Sequence, residues 1–383
     1  MLKVPFHKPY IDEREIEKVS EVLKKGWLTY GQTSVEFEKK FASFVNAPYA
    51  VAVNSCTACL HLALRAIGLT SKDEVIVPTT TFVATAEVVR YFGAKPIFVD
   101  IERDTHLIDV SKIEEAITPR TKAIIPVHFS GQPADLDEIK ALADRYGLYV
   151  IEDAAHALPA TYKGKTIGSI GDITCFSFYA TKTLATGEGG MGTTANEEFA
   201  EKMQILRLHG ISKDAWKRYS DRGHWYYDVV DLGYKYNITD IQSALGLVQL
   251  EKQGEMLEKR KHIAERYNRA FEEREELITY RVKSDRTTAW HLYPLKLNLE
   301  SLKIDRDTFI ELLKERGIGT SVHFIPLYRF TYYKNLGYSG ENYPNSEWVF
   351  EREISLPIYP GMTDKEVDYV IETVIDLVKK YRR

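Results

Sequence analysis

The chain has few cysteines, no long apolar run and little net charge, and each of these lacks removes a class of protein. Its 383 residues contain three cysteines, Cys56, Cys59 and Cys175, too few for a disulfide framework in a chain large enough to build its own core. That usage fits a reducing compartment, and the cytoplasm is the expected location. Cys56 and Cys59 form a Cys-x-x-Cys pair, yet with one further cysteine a four-ligand metal site would need histidines to complete it. Small residues packed at a helix start are the plainer reading, and no metal is expected. No stretch reaches the roughly 18 apolar residues of a membrane span. The best one, Val51 to Leu69, is interrupted by Asn54, His61 and Arg65. The opening MLKVPFHKPYIDEREIEKV turns charged without a signal-like apolar run. A formal net charge of -4 argues against broad binding to nucleic acid or membrane surfaces.

What is present is the composition of a folded enzyme-sized chain, 44% hydrophobic and 28% charged. At 383 residues it exceeds one ordinary domain of roughly 100–200 residues. The expected division is a large domain over residues 1–250, including an N-terminal arm and a helix over 12–25, and a small C-terminal domain over 251–383. Short runs rich in Val and Ile, namely AVAV from Ala50, VIVP from Val75, IFVD from Ile97, AIIPV from Ala123, LYVIED from Leu148 and ITCFSF from Ile173, alternate with helical patterns. Apolar on both faces, they predict a parallel sheet covered by helices on both sides. Asp12 with Glu15 forms a capping-box pattern, and Gly26 suits a left-handed helix end. One long helical stretch is predicted from Asp240 to about Phe271, then a strand near Leu292 and helices over 305–316 and 364–380.

Ligands of open α/β sheets bind at the carboxyl ends of strands. After AVAV comes NSCTACL, Asn54 to Leu60, entering a helix directly; free N–H groups there suit a phosphate, although a simple Ser or Thr cap reads the same way. LYVIED ends in Glu152 and Asp153, followed by Ala154, Ala155 and His156. A strand-end carboxylate can hold the proton of a pyridinium ring and keep pyridoxal 5'-phosphate (PLP) an electron sink; a helix cap or a metal ligand are the alternatives. ITCFSFYATKTLATGEGGM places Ser177 and Lys182 at a strand end before Gly187-Glu188-Gly189-Gly190. A sheltered lysine has a lowered pKa and attacks carbonyls as the neutral amine.

Taken in order, NSCTACLHLAL, DEVIVPTTTFVAT, AKPIFVDIE, PVHFSGQPAD, VIEDAAHA, CFSFYATKTLATGEGGM and GYKYNITDIQSALG resemble the DegT/DnrJ/EryC1/StrS sugar aminotransferases from Pro9 to about Pro360. The resemblance implies the PLP-dependent transferase fold type I, an α/β fold with a mainly parallel central sheet and a smaller C-terminal α/β domain. It implies that Lys182 holds PLP covalently and that Asp153 partners the pyridine nitrogen. His156 would touch the ring hydroxyl, and Phe82 would stack on the pyridine. Cys56, Thr57, Ala58 and Ser177 would bind the phosphate, with Asn237 reaching in from a second subunit of a homodimer with shared active sites. NSCTACL departs from the family's common SGTAAL, with Cys56 in place of glycine and Cys59 in place of alanine, so the loop geometry there is open. Gly26, Trp27, Leu28 and Thr29, and His323, Phe324, Ile325 and Pro326 within VHFIPLY, resemble segments lining the sugar-nucleotide pocket, though their aromatic and histidine residues also suit a core.

By the same resemblance the amino donor is glutamate. The ATKTLATGEGGM wording is closer to relatives acting at carbon 4, so a UDP- or dTDP-4-keto-6-deoxy hexose is the expected acceptor. Two alternatives remain at this level. A PLP-dependent sugar dehydratase of the same fold would carry histidine where this chain has Lys182. A non-catalytic regulatory member would need a binding surface of its own, and no DNA-reading helix pattern is present.

Overall fold

A computed structural model of the chain describes residues 2–212 and 227–383. The six predicted apolar runs all form strands: β1 (Tyr49–Val53), β2 (Glu74–Pro78), β3 (Lys95–Val99), β4 (Thr121–Ile124), β5 (Tyr149–Asp153) and β6 (Ile173–Ser177). A seventh strand, β7 (Gly190–Thr194), completes one sheet of order β1-β7-β6-β5-β4-β2-β3. From β6 to β3 all neighbours are parallel. β7 runs antiparallel to both β1 and β6. The sheet is therefore mainly parallel, as predicted, with one reversed strand that the sequence conceals. GMGTT lacks the branched apolar run of its neighbours, and glycine is depleted in strands.

Those glycines have a steric cause. A Cβ on Gly190 would lie 2.6 Å from the Ser55 carbonyl carbon and 2.8 Å from the Cys56 nitrogen. A Cβ on Gly192 would lie 2.5 Å from Met203 Cε and 2.8 Å from Cys59 Sγ. β7 thus lets the helix Cys56–Ala66 lie close against the sheet. Cys56 and Cys59 are buried at its start, and Cys59 Sγ contacts Cys175 Sγ at 2.9 Å.

The first helix spans Glu13–Lys25 with the predicted capping box at Asp12 and Gly26 at φ 76°. The predicted stretch from Asp240 is two helices, Asp240–Glu251 and Gln253–Phe271, joined at Lys252. The Lys252 ammonium is buried and bonds Glu15 at 2.7 Å and Asp12 at 3.1 Å, so the joint is tied to the first helix. Such a pair is costly to break, because either partner left alone would be an uncompensated buried charge. Beyond it, β8 (Leu277–Ile278), β9 (Tyr293–Leu297) and β10 (Glu353–Leu356) form a separate antiparallel sheet. The helix Asp364–Tyr381 packs its Val367, Val370, Val374 and Leu377 side into the same core as β9 and β10. The N-terminal arm joins this region, with Val4 bridged to Ile318. Among the described residues no helix is long and apolar enough to cross a membrane.

Gly190→Ala should destabilise the fold by about 1–3 kcal/mol, because its methyl meets backbone that cannot turn aside. Gly254→Ala, in the helix Gln253–Phe271 with nothing within 4 Å of the added Cβ, is the clash-free control and should leave stability unchanged or slightly raised. Denaturant midpoints of the two variants measure the difference.

Candidate functional site

Strand ends and loops converge on a cavity of 490 Å³ lined by Cys56, Thr57, Phe82, Asp153, His156, Ser177, Lys182, His323 and Phe324, among others. Nine residues singled out from the sequence thus meet in one place. Adjacent positions on a strand face opposite sides, and β5 uses this at its end. Glu152 is fully buried and accepts bonds from His128 at 2.7 Å, Thr174 at 2.8 Å and Gly171 N–H at 2.6 Å, so it is committed to structure. Asp153 faces the cavity. Its Oδ2 accepts the Thr85 hydroxyl at 2.7 Å and its Oδ1 the Ala155 N–H at 3.2 Å. Burial pushes its pKa up, opposed by these bonds and by the charge of Lys182.

Lys182 sits in the turn after β6. Burial lowers its amine from 10.5 to about 8, against the pull of Asp153 and Cys56. At the start of the helix Cys56–Ala66, the Ser55 hydroxyl accepts the Ala58 N–H at 3.1 Å. The N–H groups of Cys56 and Thr57, which have no acceptor within the helix, remain for a ligand. Phe82 is 58% exposed, a large ring on an open face of the cavity. His156 is buried, its Nδ1 has no hydrogen-bond partner and its ring lies 4.3 Å from that of His291. Burial and Lys182 hold the His156 pKa well below its usual value, so the ring is neutral.

Ala58, Asn237, Ile325, Pro326 and the segment Gly26 to Thr29 do not line this cavity. Asn237 is bridged to Val53 at the end of β1, and its side chain bonds the Ile238 carbonyl at 3.0 Å. Leu28 and Thr29 accept the Asp240 N–H, while the Asp240 carboxylate caps the helix Gln32–Phe44 through Gly31, Thr33 and Ser34 N–H groups. Trp27 and Leu28 are 43% and 47% exposed.

Other residues of the wall escaped sequence reasoning. Phe6 and His7 come from the N-terminal arm, and His291 precedes β9. Thr85 had a faint signal, four residues after Thr81 in a Thr-rich run, and the two hydroxyls bond at 2.9 Å. His7 and His291 each keep a buried ring nitrogen without a partner. Among the described residues no cluster suited to a metal ion occurs.

A lysine of lowered pKa, a buried carboxylate and a helix start around one cavity are the parts of a carbonyl-amine exchange site, the chemistry of an aminotransferase. The sequence model of the DegT/DnrJ/EryC1/StrS aminotransferase family matches residues 9–375, and the chain belongs to that family. It is 52% identical to the spore coat polysaccharide biosynthesis protein SpsC of Bacillus subtilis over 378 residues, 98% of this chain and 97% of SpsC. It superposes with a TM-score of 0.93 on Spr1654 of Streptococcus pneumoniae, a candidate sugar aminotransferase in its PMP form. The two are 38% identical over 99% of this chain and 100% of the other. PseC of Helicobacter pylori, an aminotransferase involved in pseudoaminic acid biosynthesis, matches with TM-score 0.93 at 29% identity, over 99% and 100% of the two chains. The fold is thus that of these aminotransferases.

Competitive amine labelling followed by mass spectrometry should give Lys182 a midpoint near 8 in the ligand-free protein. Because the Asp153 carboxylate raises this value, Asp153→Asn should move the midpoint lower still. A midpoint at the ordinary lysine value would show that the amine is not desolvated.

Proposed function

We propose that the chain is a PLP-dependent aminotransferase that moves an amino group from glutamate to a nucleotide-linked keto sugar, at carbon 4 of a UDP- or dTDP-4-keto-6-deoxy hexose, in the cytoplasm. The observation that carries the reading is Lys182, of lowered pKa, sharing one cavity with Asp153. The residues present fit PLP. The unpartnered His156 Nδ1 suits the ring hydroxyl, the Cys56 and Thr57 N–H groups with Ser177 suit the phosphate, and Phe82 offers a ring face. PLP, when bound, supplies a cationic ring that withdraws electrons from the carbon whose bond is to break.

The chain's own residues do the rest. Asp153 keeps the proton on the ring nitrogen, and Thr85 holds Asp153 in place. Lys182 Nζ, as the neutral amine, would take the proton from the donor carbon and return it one position away. An amine near 8 accepts and gives up a proton at neutral pH more evenly than one at 10.5. His323 and Phe324 border the space left for the sugar. The large domain of residues 1–250 would carry the cofactor, and that of residues 251–383 would close the sugar side.

A homodimer completes the reading. Val229, Val230 and Leu232, in the segment leading to Asn237, are 58%, 54% and 76% exposed, apolar surface suited to cover by a second copy. Asn237, outside its own cavity, would then help hold the phosphate of its partner's site. The dehydratase alternative is disfavoured by Lys182 itself.

Lys182→Ala should abolish the borohydride-reducible link between PLP and protein and lower turnover by several orders of magnitude. A reducible covalent link retained in that variant would sink the assignment. Lys182→Ala and Asn237→Asp, each inactive alone, should complement on mixing. Half the dimers are mixed and each has one intact site, so activity should recover to at most about a quarter of normal. If subunits exchange and the mixture stays inactive, Asn237 does not act across an interface.

A further inference from the structure

Behind the cavity wall His323 rests on two side chains that the reaction above does not use. His323 Nδ1 lies 2.8 Å from Ser355 Oγ. The Ser355 hydroxyl lies 2.5 Å from Glu353 Oε1, and Glu353 Oε2 accepts the backbone N–H of His323 at 2.9 Å. The three residues form a closed ring of contacts. Glu353 and Ser355 project from the same face of β10, two positions apart, and are 1% and 0% exposed. Backbone bonds between Ser321 and Ser355, at 2.8 and 3.2 Å, hold the two segments in register.

We propose that Glu353 and Ser355 are positioning residues forming a proton relay to His323, which sets whether His323 Nε2 offers the sugar a hydrogen-bond acceptor or a donor. The sugar part of this rests on the reading of the cavity given above. The relay follows from counting donors. Glu353 Oε2 is committed to an N–H and must keep its lone pair there, so Oε1 is the oxygen free to change. When Glu353 is ionised, Oε1 can only accept, the Ser355 hydrogen points to it, and Ser355 Oγ is left to accept from Nδ1–H. Nε2 then carries a lone pair into the cavity. When Oε1 is protonated it donates to Ser355, whose hydrogen turns to Nδ1, and Nε2 carries the hydrogen. In passing from one state to the other a proton bonds to Nε2, the Nδ1 proton moves to Ser355 Oγ, and the Ser355 proton moves to Glu353 Oε1. The histidine ring stays neutral throughout.

The surroundings favour this exchange over a charged ring. Burial and the Lys182 charge press His323 down to about 3, so an imidazolium there is strongly opposed. Glu353 faces Lys296, its register partner on β9, and Arg306, whose guanidinium donates to the Glu353 carbonyl at 3.1 Å. Both favour the carboxylate, while burial outweighs them and carries it up to about 7. Lys296 is itself turned to the Arg103 and Asp104 carbonyls at 2.6 and 3.3 Å. A proton therefore settles on Glu353 in the neutral range, where it would not settle on the ring.

The test is the tautomer of His323 in the PLP-loaded enzyme, read from proton–nitrogen correlation spectra of protein labelled with ¹⁵N in its histidine rings. The spectrum of His323→Gln identifies the signal. At about pH 8 the wild type should show Nδ1 protonated and Nε2 bare, and as pH falls through about 7 the two should exchange with the ring still neutral. In Glu353→Gln the amide oxygen takes the backbone N–H and the amide NH₂ turns to Ser355, so Nε2 should be protonated at every pH. In Ser355→Ala the tautomer ratio should lose its dependence on pH. If Glu353→Gln does not fold, the wild-type titration with Ser355→Ala decides. A tautomer that is the same in wild type and Glu353→Gln, or that ignores pH in the wild type, overturns the relay. Tautomer exchange in an enzyme that aminates no keto sugar overturns the substrate reading and leaves the relay standing. Amination with a fixed tautomer does the reverse.

Discussion

Desolvation opposes charge on the Asp153 carboxylate, yet the proposed reaction needs that charge, and the surrounding structure is arranged around the conflict. A carboxyl taken out of water drifts toward its neutral form unless hydrogen bonds and a cation hold it ionised. Here burial pushes the Asp153 pKa up, and the Thr85 hydroxyl, the Ala155 N–H and the Lys182 charge pull against it. The relation is mutual, because Asp153 keeps Lys182 from falling further. Asp153 ends β5, and Lys182 lies in the turn that follows the adjacent parallel strand β6, so the sheet brings the two to one edge. A cationic ring nitrogen brought beside Asp153 would relieve the same conflict, and this is why a pyridinium cofactor suits the place.

Much of this was legible in the sequence because parallel strands buried on both faces read as plain apolar runs, and residues following them fall at the ligand-binding edge. Lys182, Asp153, His156 and Ser177 stood out that way, and a family resemblance that spans most of the chain added Phe82. β7 was not found, since its glycines answer to the close approach of the helix Cys56–Ala66, a contact between segments far apart in sequence. The break at Lys252 was hidden for a similar reason: a lysine inside a helical pattern reads as solvent-facing, whereas this one is buried on Glu15. The arm residues Phe6 and His7 and the pair behind His323 were invisible because nothing local marks a side chain whose role is set by tertiary neighbours.

The wall of the cavity divides by polarity of purpose. On the β5–β6 side, charged groups of opposed sign are held close, which suits proton movement at a fixed place. On the His323 side, four histidines, His7, His156, His291 and His323, line the same space with their pKa values lowered by burial. Neutral imidazoles offer hydrogen-bonding nitrogens without adding a charge to compete with Lys182.

The central claim is that Asp153 holds a proton on the ring nitrogen of bound PLP. Nitrogen-15 NMR of the enzyme loaded with PLP labelled at that nitrogen tests it most directly. The account predicts a protonated ring nitrogen in the wild type well above the pH at which free PLP loses that proton, and an unprotonated one in Asp153→Asn at the same pH. An unprotonated nitrogen in the wild type, or a protonated one that survives in Asp153→Asn, would contradict it.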